Sequence, residues 1–262
     1  MRWLPVHNGR MEIAEHIDAL REHGGLLADA AECAGLEASV SSCVPWRVKD
    51  LLRHTGYVHR WAASHITERP ASVLDGPTEA EILSGGATDE ELLGWFRQGH
   101  GALVETLSAA DPGLQTATFM AAPSPLAFWA RRQAHETAIH RADAETAVGK
   151  LPDFPAAFAA DGIDELIMGF GRRRKYQPAG GRDGVLRVHT TDTADSWYAA
   201  MKDGRVQAQL DDGPADCTVG GTASGVYLFL WNRADSAQAG VTFDGDPDVL
   251  ALWQSGVRVR WD

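Results

Sequence analysis

The chain has 262 residues, of which 44% are hydrophobic and 23% charged, as in ordinary globular proteins. This length allows one large domain or two modest ones. The formal net charge of -12 argues against a partner with a phosphate backbone, so we expect no nucleic-acid binding. Cys33, Cys43 and Cys217 form no Cys-x-x-Cys pair, which favours a reduced, cytoplasmic protein. We find neither an apolar run of membrane-spanning length nor a signal peptide, so we expect no membrane association.

The N-terminal part of the chain shows the apolar spacing of helices. We expect five helical segments, over residues 11–33, 45–66, 89–110, 124–148 and 155–174. Ser124 and Pro125 suit the cap and the first position of the fourth segment. The stretch 70–86 is rich in Pro, Gly and Ser, which predicts a long loop.

The pattern changes after residue 177, where alternating apolar and polar residues indicate strands. We expect strands near residues 186–190, 197–201, 205–210, 217–219, 241–243 and 257–261. Helices are expected to begin at Thr222 and at Asp246-Pro247, and Asp203-Gly204 is a hairpin turn signal. The sequence therefore predicts an α+β protein with a helical domain over residues 1–177 and a small α/β domain over residues 178–262.

Glu136 and His140 lie four residues apart in the fourth helical segment, and hence one turn apart on one face. A carboxylate and an imidazole so placed suit a divalent metal ion, although such a pair also occurs on solvated helix faces. His135 is five residues from His140, an offset of roughly 140° around the helix, so these two histidines do not chelate one ion. His54, early in the second helical segment, is the best candidate for a third ligand.

Ligating histidines are usually held through their other ring nitrogen by a neighbouring acceptor. Asp50 lies one turn before His54, and Asp143 lies three residues after His140. We therefore expect Asp50 and Asp143 to be candidates for these supporting positions.

Three blocks of the sequence resemble one known family. Residues 43–54 read Cys-Val-Pro-Trp-Arg-Val-Lys-Asp-Leu-Leu-Arg-His, similar to the family pattern Cys-Pro-Gly-Trp-Thr-Val-x-Asp-Leu-x-x-His. Residues 132–143 and 160–165 resemble its second and third blocks. The chain thus resembles the mycothiol-dependent maleylpyruvate isomerase family, within the DinB-like metalloenzyme superfamily. Val44-Pro45 departs from the family's Pro-Gly, in the loop before the second helix.

The resemblance implies a DinB-like four-helix bundle followed by a sterol-carrier-like α/β domain. It implies zinc, or another divalent metal, bound by His54, Glu136 and His140 from the second and fourth helices. It also implies mycothiol, the low-molecular-weight thiol of actinobacteria, as cosubstrate. Two histidines and a carboxylate leave open positions on zinc, so the same three residues are the expected catalytic group.

A thiol bound to such a cation loses its proton at neutral pH and becomes a nucleophile. It could add to an activated double bond and allow isomerisation, or displace a leaving group in an S-transferase reaction. Four arginines near the ligands in sequence are candidates to bind anionic groups of the thiol or substrate, although each could also be an ordinary surface residue. These are Arg47, Arg60, Arg131 and Arg132.

Three alternatives remain open from the residues alone. Open metal positions could carry water, as in a metal-dependent hydrolase. Two histidines and a carboxylate also suit non-haem iron(II). The protein could instead be a non-catalytic metal- or ligand-binding protein, in which the C-terminal domain holds an apolar ligand or a partner. The electrophilic substrate is not identified by any residue, and the protein could be a monomer or a homodimer.

Overall fold

The computed structural model describes residues 11–175, 178, 182–211 and 213–259. These residues divide into two compact units, one ending at Pro152 and the other beginning at Asp153. The first unit is helical, and the second is a sheet with helices. The predicted α+β class with a helical N-terminal part and a mixed C-terminal part is therefore confirmed.

The first unit contains five α-helices and a short 3-10 turn. They are α1 (Ile13–Ala34), the 3-10 turn (Ser41–Cys43), α2 (Val48–Glu68), α3 (Glu79–Ser84), α4 (Leu92–Ser108) and α5 (Pro125–Ala147). The four long helices form a bundle, in which α1 packs against α4 and α5, and α2 packs against the same two helices. None of the helices in the described part of the chain is long and apolar enough to span a membrane.

The expected long loop over residues 70–86 is wrong in one respect, because it contains the short helix α3. Thr78 caps this helix, since its hydroxyl accepts the backbone N–H of Glu81. Six residues are fewer than two turns, so no helical period is visible in the sequence.

Helix α5 is the central element of the bundle, and most of its residues are buried. Its cap is the expected one, with the Ser124 hydroxyl accepting the N–H of Ala127 and Pro125 in the first turn. Several buried positions carry polar side chains. Because a buried polar group is costly unless it is paired, the partners of these side chains show where the bundle departs from a purely apolar core.

The second unit contains a five-stranded sheet and three α-helices. Its elements are α6 (Ala156–Asp164), a π-helical turn (Glu165–Gly169), a 3-10 turn (Phe170–Arg172), β1 (Gly184–Thr190), β2 (Ser196–Lys202), β3 (Arg205–Gln209), β4 (Cys217–Gly221), α7 (Ala223–Leu230), β5 (Thr242–Gly245) and α8 (Pro247–Gly256). The strand order is β3-β2-β1-β4-β5. Strands β1 and β4 are parallel, and the other neighbouring pairs are antiparallel.

The predicted hairpin is confirmed as β2 and β3. Asp203 and Gly204 both have positive φ, 51° and 68°, as the favoured two-residue hairpin turn requires. The predicted closing strand is wrong over residues 257–259, which follow α8 without pairing in the sheet; residues 260 and 261 lie outside the described residues.

The division between the units lies earlier than the sequence boundary at residue 177. That boundary followed the change from helical to alternating pattern, whereas the division follows packing, and α6 packs on α7 within the second unit. Independent domains over residues 1–177 and 178–262 stay a prediction.

Candidate metal centre

The structure brings together the three residues predicted as ligands. His54 lies on α2, and Glu136 and His140 lie one turn apart on α5. One carboxylate oxygen, Oε1 of Glu136, is 3.4 Å from Nε2 of His54 and 3.2 Å from Nε2 of His140. One ligand atom from each residue lies within 4.8 Å of the other two.

These distances and donor types fit a divalent cation. Ligand atoms at 2.0–2.1 Å from a tetrahedral zinc ion lie about 3.3 Å from one another, which matches both nitrogen–oxygen distances. The side chains of His54 and His140 are 4% and 9% exposed, whereas that of Glu136 is 18% exposed. The group is thus buried, and the carboxylate is its most exposed member.

The electrostatics favour an ionised Glu136, a protonated His140 and a neutral His54. Burial lowers the pKa of His54, and the hydrogen bond to Glu136 only partly opposes this. Burial also acts to lower the pKa of His140, but Asp143 and Glu136 outweigh it and raise the pKa to about 9. Burial would raise the pKa of Glu136, yet the two histidines and Arg132 hold it well below its usual range. Without a cation, the proton between Glu136 and His140 therefore resides on His140.

Arg132 supports the carboxylate from the opposite side to the histidines. Its Nη2 donates to Oε2 of Glu136 at 3.1 Å, and the guanidinium is almost completely buried. This contact leaves Oε1 for the two histidines. Arg131, the neighbouring candidate for anion binding, is half-buried at the same level of α5.

Two residues of the first sequence block lie at the start of α2. Arg47 is half-exposed and donates to the Glu37 carboxylate at 2.9 Å and to the Glu37 carbonyl at 3.1 Å. The Asp50 carboxylate accepts the backbone N–H of Arg47 at 2.8 Å. Asp50 therefore caps the helix, instead of holding His54 as its position in the sequence had suggested.

Asp143 does support His140, as its spacing predicted. Oδ2 of Asp143 is 2.8 Å from Nδ1 of His140, on the far side of the ring from Glu136. The Ser42 hydroxyl donates to Oδ1 of the same carboxylate. The Cys43 thiol lies 3.6 Å from Oδ2. Asp143 is fully buried, so these contacts fix both the carboxylate and the histidine ring.

Trp46 lies beside two of the ligands. Its ring centroid is 4.9 Å from that of His54 and 6.3 Å from that of His140. Its indole N–H donates to Oε1 of Glu79 at 2.7 Å. Trp46 is also packed against buried apolar residues of the bundle core.

Sequence reasoning missed Glu79 because it missed α3. A signal was present, since Thr78 and Glu81 have the spacing of a capping box, and the structure contains that box. Recognising it would have turned part of the expected loop into a helix start.

The other histidines of α5 and α2 are separate from this group. His135 is fully buried, and its ring centroid lies 6.1 Å from that of His16. This position agrees with the prediction from spacing that His135 does not share an ion with His140. His59 is hydrogen-bonded to the Thr137 hydroxyl at 2.8 Å. Nδ1 of His65 donates to the carbonyl of Trp61, while Nε2 accepts the N–H of Leu74.

Two family models match most of the chain. The mycothiol maleylpyruvate isomerase N-terminal domain matches residues 17–145, and the MDMPI C-terminal domain matches residues 157–252. The chain belongs to the mycothiol-dependent maleylpyruvate isomerase family.

Solved structures agree on the fold. The crystal structure of the mycothiol-dependent maleylpyruvate isomerase is 14% identical and superposes with a TM-score of 0.63. A histidine-to-alanine mutant of that enzyme is 13% identical, with a TM-score of 0.64. Each comparison covers 89% of this chain and 93% of the other. No curated protein sequence matches the chain.

Proposed function

We propose that this protein is a metal-dependent enzyme that uses mycothiol to isomerise a small electrophile or to transfer the thiol to it. The observation that carries the proposal is the convergence of two imidazoles on one carboxylate oxygen in a buried group. Family membership supports mycothiol as the thiol and isomerisation as the type of reaction. A cytoplasmic location, and a monomeric or homodimeric state, are expectations that accompany this proposal.

His54 and His140 would hold the cation through Nε2, and Glu136 through Oε1. A zinc ion or another divalent ion held there would supply positive charge that lowers the pKa of a thiol. Asp143 keeps a proton on Nδ1 of His140, so that Nε2 presents its lone pair to the site. Arg132 offsets the charge of Glu136 and fixes its second oxygen. Trp46 shields one side of both imidazoles from water.

Anionic groups of the thiol and the substrate need cationic partners. Arg131, Arg132 and Arg47 are the proposed ones. Arg132 contacts Glu136, and Arg47 contacts Glu37, so each would have to exchange or share these contacts to bind an anion. Arg131 lies on α5, the helix that carries Glu136 and His140, and Arg131→Ala is expected to weaken thiol binding.

The test is turnover of a panel of electrophiles, including maleylpyruvate, by the full-length chain with and without added Zn²⁺ and mycothiol. We expect product only when both are present. The variant Glu136→Gln removes the charge but keeps the shape, and we expect no activity from it. Glu90→Gln, at an exposed position, is the matched control and should remain active.

Each alternative gives a distinct result. Turnover with metal and water but no thiol would contradict the proposal in favour of a hydrolase. Full activity with Fe²⁺ and none with Zn²⁺ would mean that iron, and not zinc, is the functional metal of this site. Metal binding without turnover of any electrophile would favour a non-catalytic binding protein.

A further inference from the structure

The connection between α1 and α2 closes on itself beside the ligand group. Ser39 and Arg47 pair as an isolated β-bridge at its two ends. Inside the bridge, the N–H of Val40 donates to the carbonyl of Trp46 at 2.9 Å, and the N–H of Trp46 donates to the carbonyl of Cys43 at 2.8 Å. We refer to residues 39–47 as the 39–47 loop. Its internal hydrogen bonds fix the positions of its side chains relative to the start of α2.

One side chain of this loop reaches His140 through a single intermediate. The Ser42 hydroxyl donates to Oδ1 of Asp143, and Oδ2 of Asp143 faces Nδ1 of His140 at 2.8 Å. Ser42 and Asp143 are 101 residues apart in the chain. A buried carboxylate with a partner on each oxygen has one preferred orientation, and the imidazole bonded to it inherits that orientation.

A second side chain of the loop contacts the other histidine directly. The indole of Trp46 lies 4.9 Å from the ring of His54, tilted by 46°. Its N–H is held by Glu79 of α3 at 2.7 Å, which prevents the ring from rotating away. The 39–47 loop therefore contacts His54 directly and reaches His140 through Asp143, although it supplies no ligand itself.

We propose that the 39–47 loop is the positioning element of the metal centre, with Ser42 orienting His140 through Asp143 and Trp46 orienting His54. This role rests on the proposed metal centre and extends it to residues that are not ligands. Val44, where the chain departs from the family pattern, is 81% exposed and takes part in neither of these two contacts.

Ser42→Ala is the decisive variant, because the same turn offers a matched control. Ser41 is the neighbouring serine and is exposed, so Ser41→Ala removes a hydroxyl from the same backbone without touching Asp143. The full-length chain is freed of metal, and its Zn²⁺ affinity is measured by competition with a chromophoric chelator. The absorption bands of bound Co²⁺ report the ligand geometry, and thermal unfolding of the metal-free protein reports the fold.

Removing a direct hydrogen-bond partner of a metal ligand typically costs ten- to hundredfold in metal affinity. Ser42 acts one step further out, through Asp143, so we expect Ser42→Ala to weaken Zn²⁺ binding about tenfold, at the lower end of that range, and to alter the Co²⁺ bands. Ser41→Ala should leave both unchanged. Ser42→Thr keeps a hydroxyl and should recover most of the affinity. This recovery separates the hydroxyl from any general effect on folding.

Wild-type affinity and an unchanged Co²⁺ spectrum in Ser42→Ala would overturn the proposal. Equal losses of Zn²⁺ affinity in Ser41→Ala and Ser42→Ala would also overturn it. So would a Ser42→Thr variant that binds Zn²⁺ as weakly as Ser42→Ala. In both cases the loss of affinity would not depend on the Ser42 hydroxyl. Failure of the wild-type chain to bind either metal is a different result. It would contradict the metal centre itself, and the positioning role with it.

Discussion

His23, inside the helical bundle, should make the protein sensitive to acid. Its Nδ1 is 3.2 Å from Nη1 of Arg141. A guanidinium can only donate, so Nδ1 must accept and the ring must be neutral. Burial, reinforced by the charge of Arg141, lowers the pKa of His23 from 6.5 to about 3.

The sign and size of the effect follow from linkage between protonation and folding. Between pH 6.5 and 3 the unfolded chain binds a proton at His23 and the folded chain does not. The free energy of unfolding therefore has its full value above pH 6.5 and falls as the pH decreases through this range. Between pH 7 and pH 5 the loss from this residue is about 2 kcal/mol, since one pKa unit corresponds to 1.36 kcal/mol.

The assay compares denaturant unfolding of the metal-free wild-type chain and His23→Gln at pH 7 and pH 5. Glutamine can accept from Arg141 and does not titrate, whereas the other buried histidines contribute equally to both proteins. We expect the stability of the wild type relative to the variant to fall by about 2 kcal/mol on acidification. If that difference were the same at both pH values, His23 would not be held neutral by the fold.

Two further predictions concern protons and packing. The pKa of His140 is raised to about 9 and that of His54 is lowered, so Zn²⁺ binding at pH 7.5 should release about one proton, from His140. Calorimetry in buffers of different ionisation enthalpy measures this release. Binding enthalpies that do not depend on the buffer would argue against it. Leu52 is fully buried, so Leu52→Ala should lower the free energy of unfolding by about 2–5 kcal/mol, while Val44→Ala at an exposed site should change it little. Equal stabilities of these two variants would contradict the packing described for α2.

The sequence could predict the features that depend on local spacing. The four long helices have apolar periods of several turns, and Glu136 and His140 are juxtaposed by the helix geometry alone. Asp143 follows from the same geometry. His54 could be named as the best third candidate from the residues, but only the family resemblance implied that it meets the other two, because no local rule brings α2 to α5.

The sequence could not predict the features that depend on packing between distant segments. Trp46 meets Glu79 across 33 residues, and Ser42 meets Asp143 across 101 residues. Helix α3 is too short to show a period, and its capping box was its one signal. The change of pattern near residue 177 reflects local structure, whereas α6 is assigned to the second unit by its contacts with α7. Such contacts form only once the chain has folded.

The most direct test of the central claim is thiol-dependent turnover measured as the metal-free chain is titrated with Zn²⁺. The account predicts that activity rises from zero and saturates at about one equivalent per chain. In His54→Ala, the same titration should give neither tight binding nor activity. Full thiol-dependent activity in the metal-free protein, or an unchanged titration in His54→Ala, would contradict the claim that His54, Glu136 and His140 form the functional metal centre.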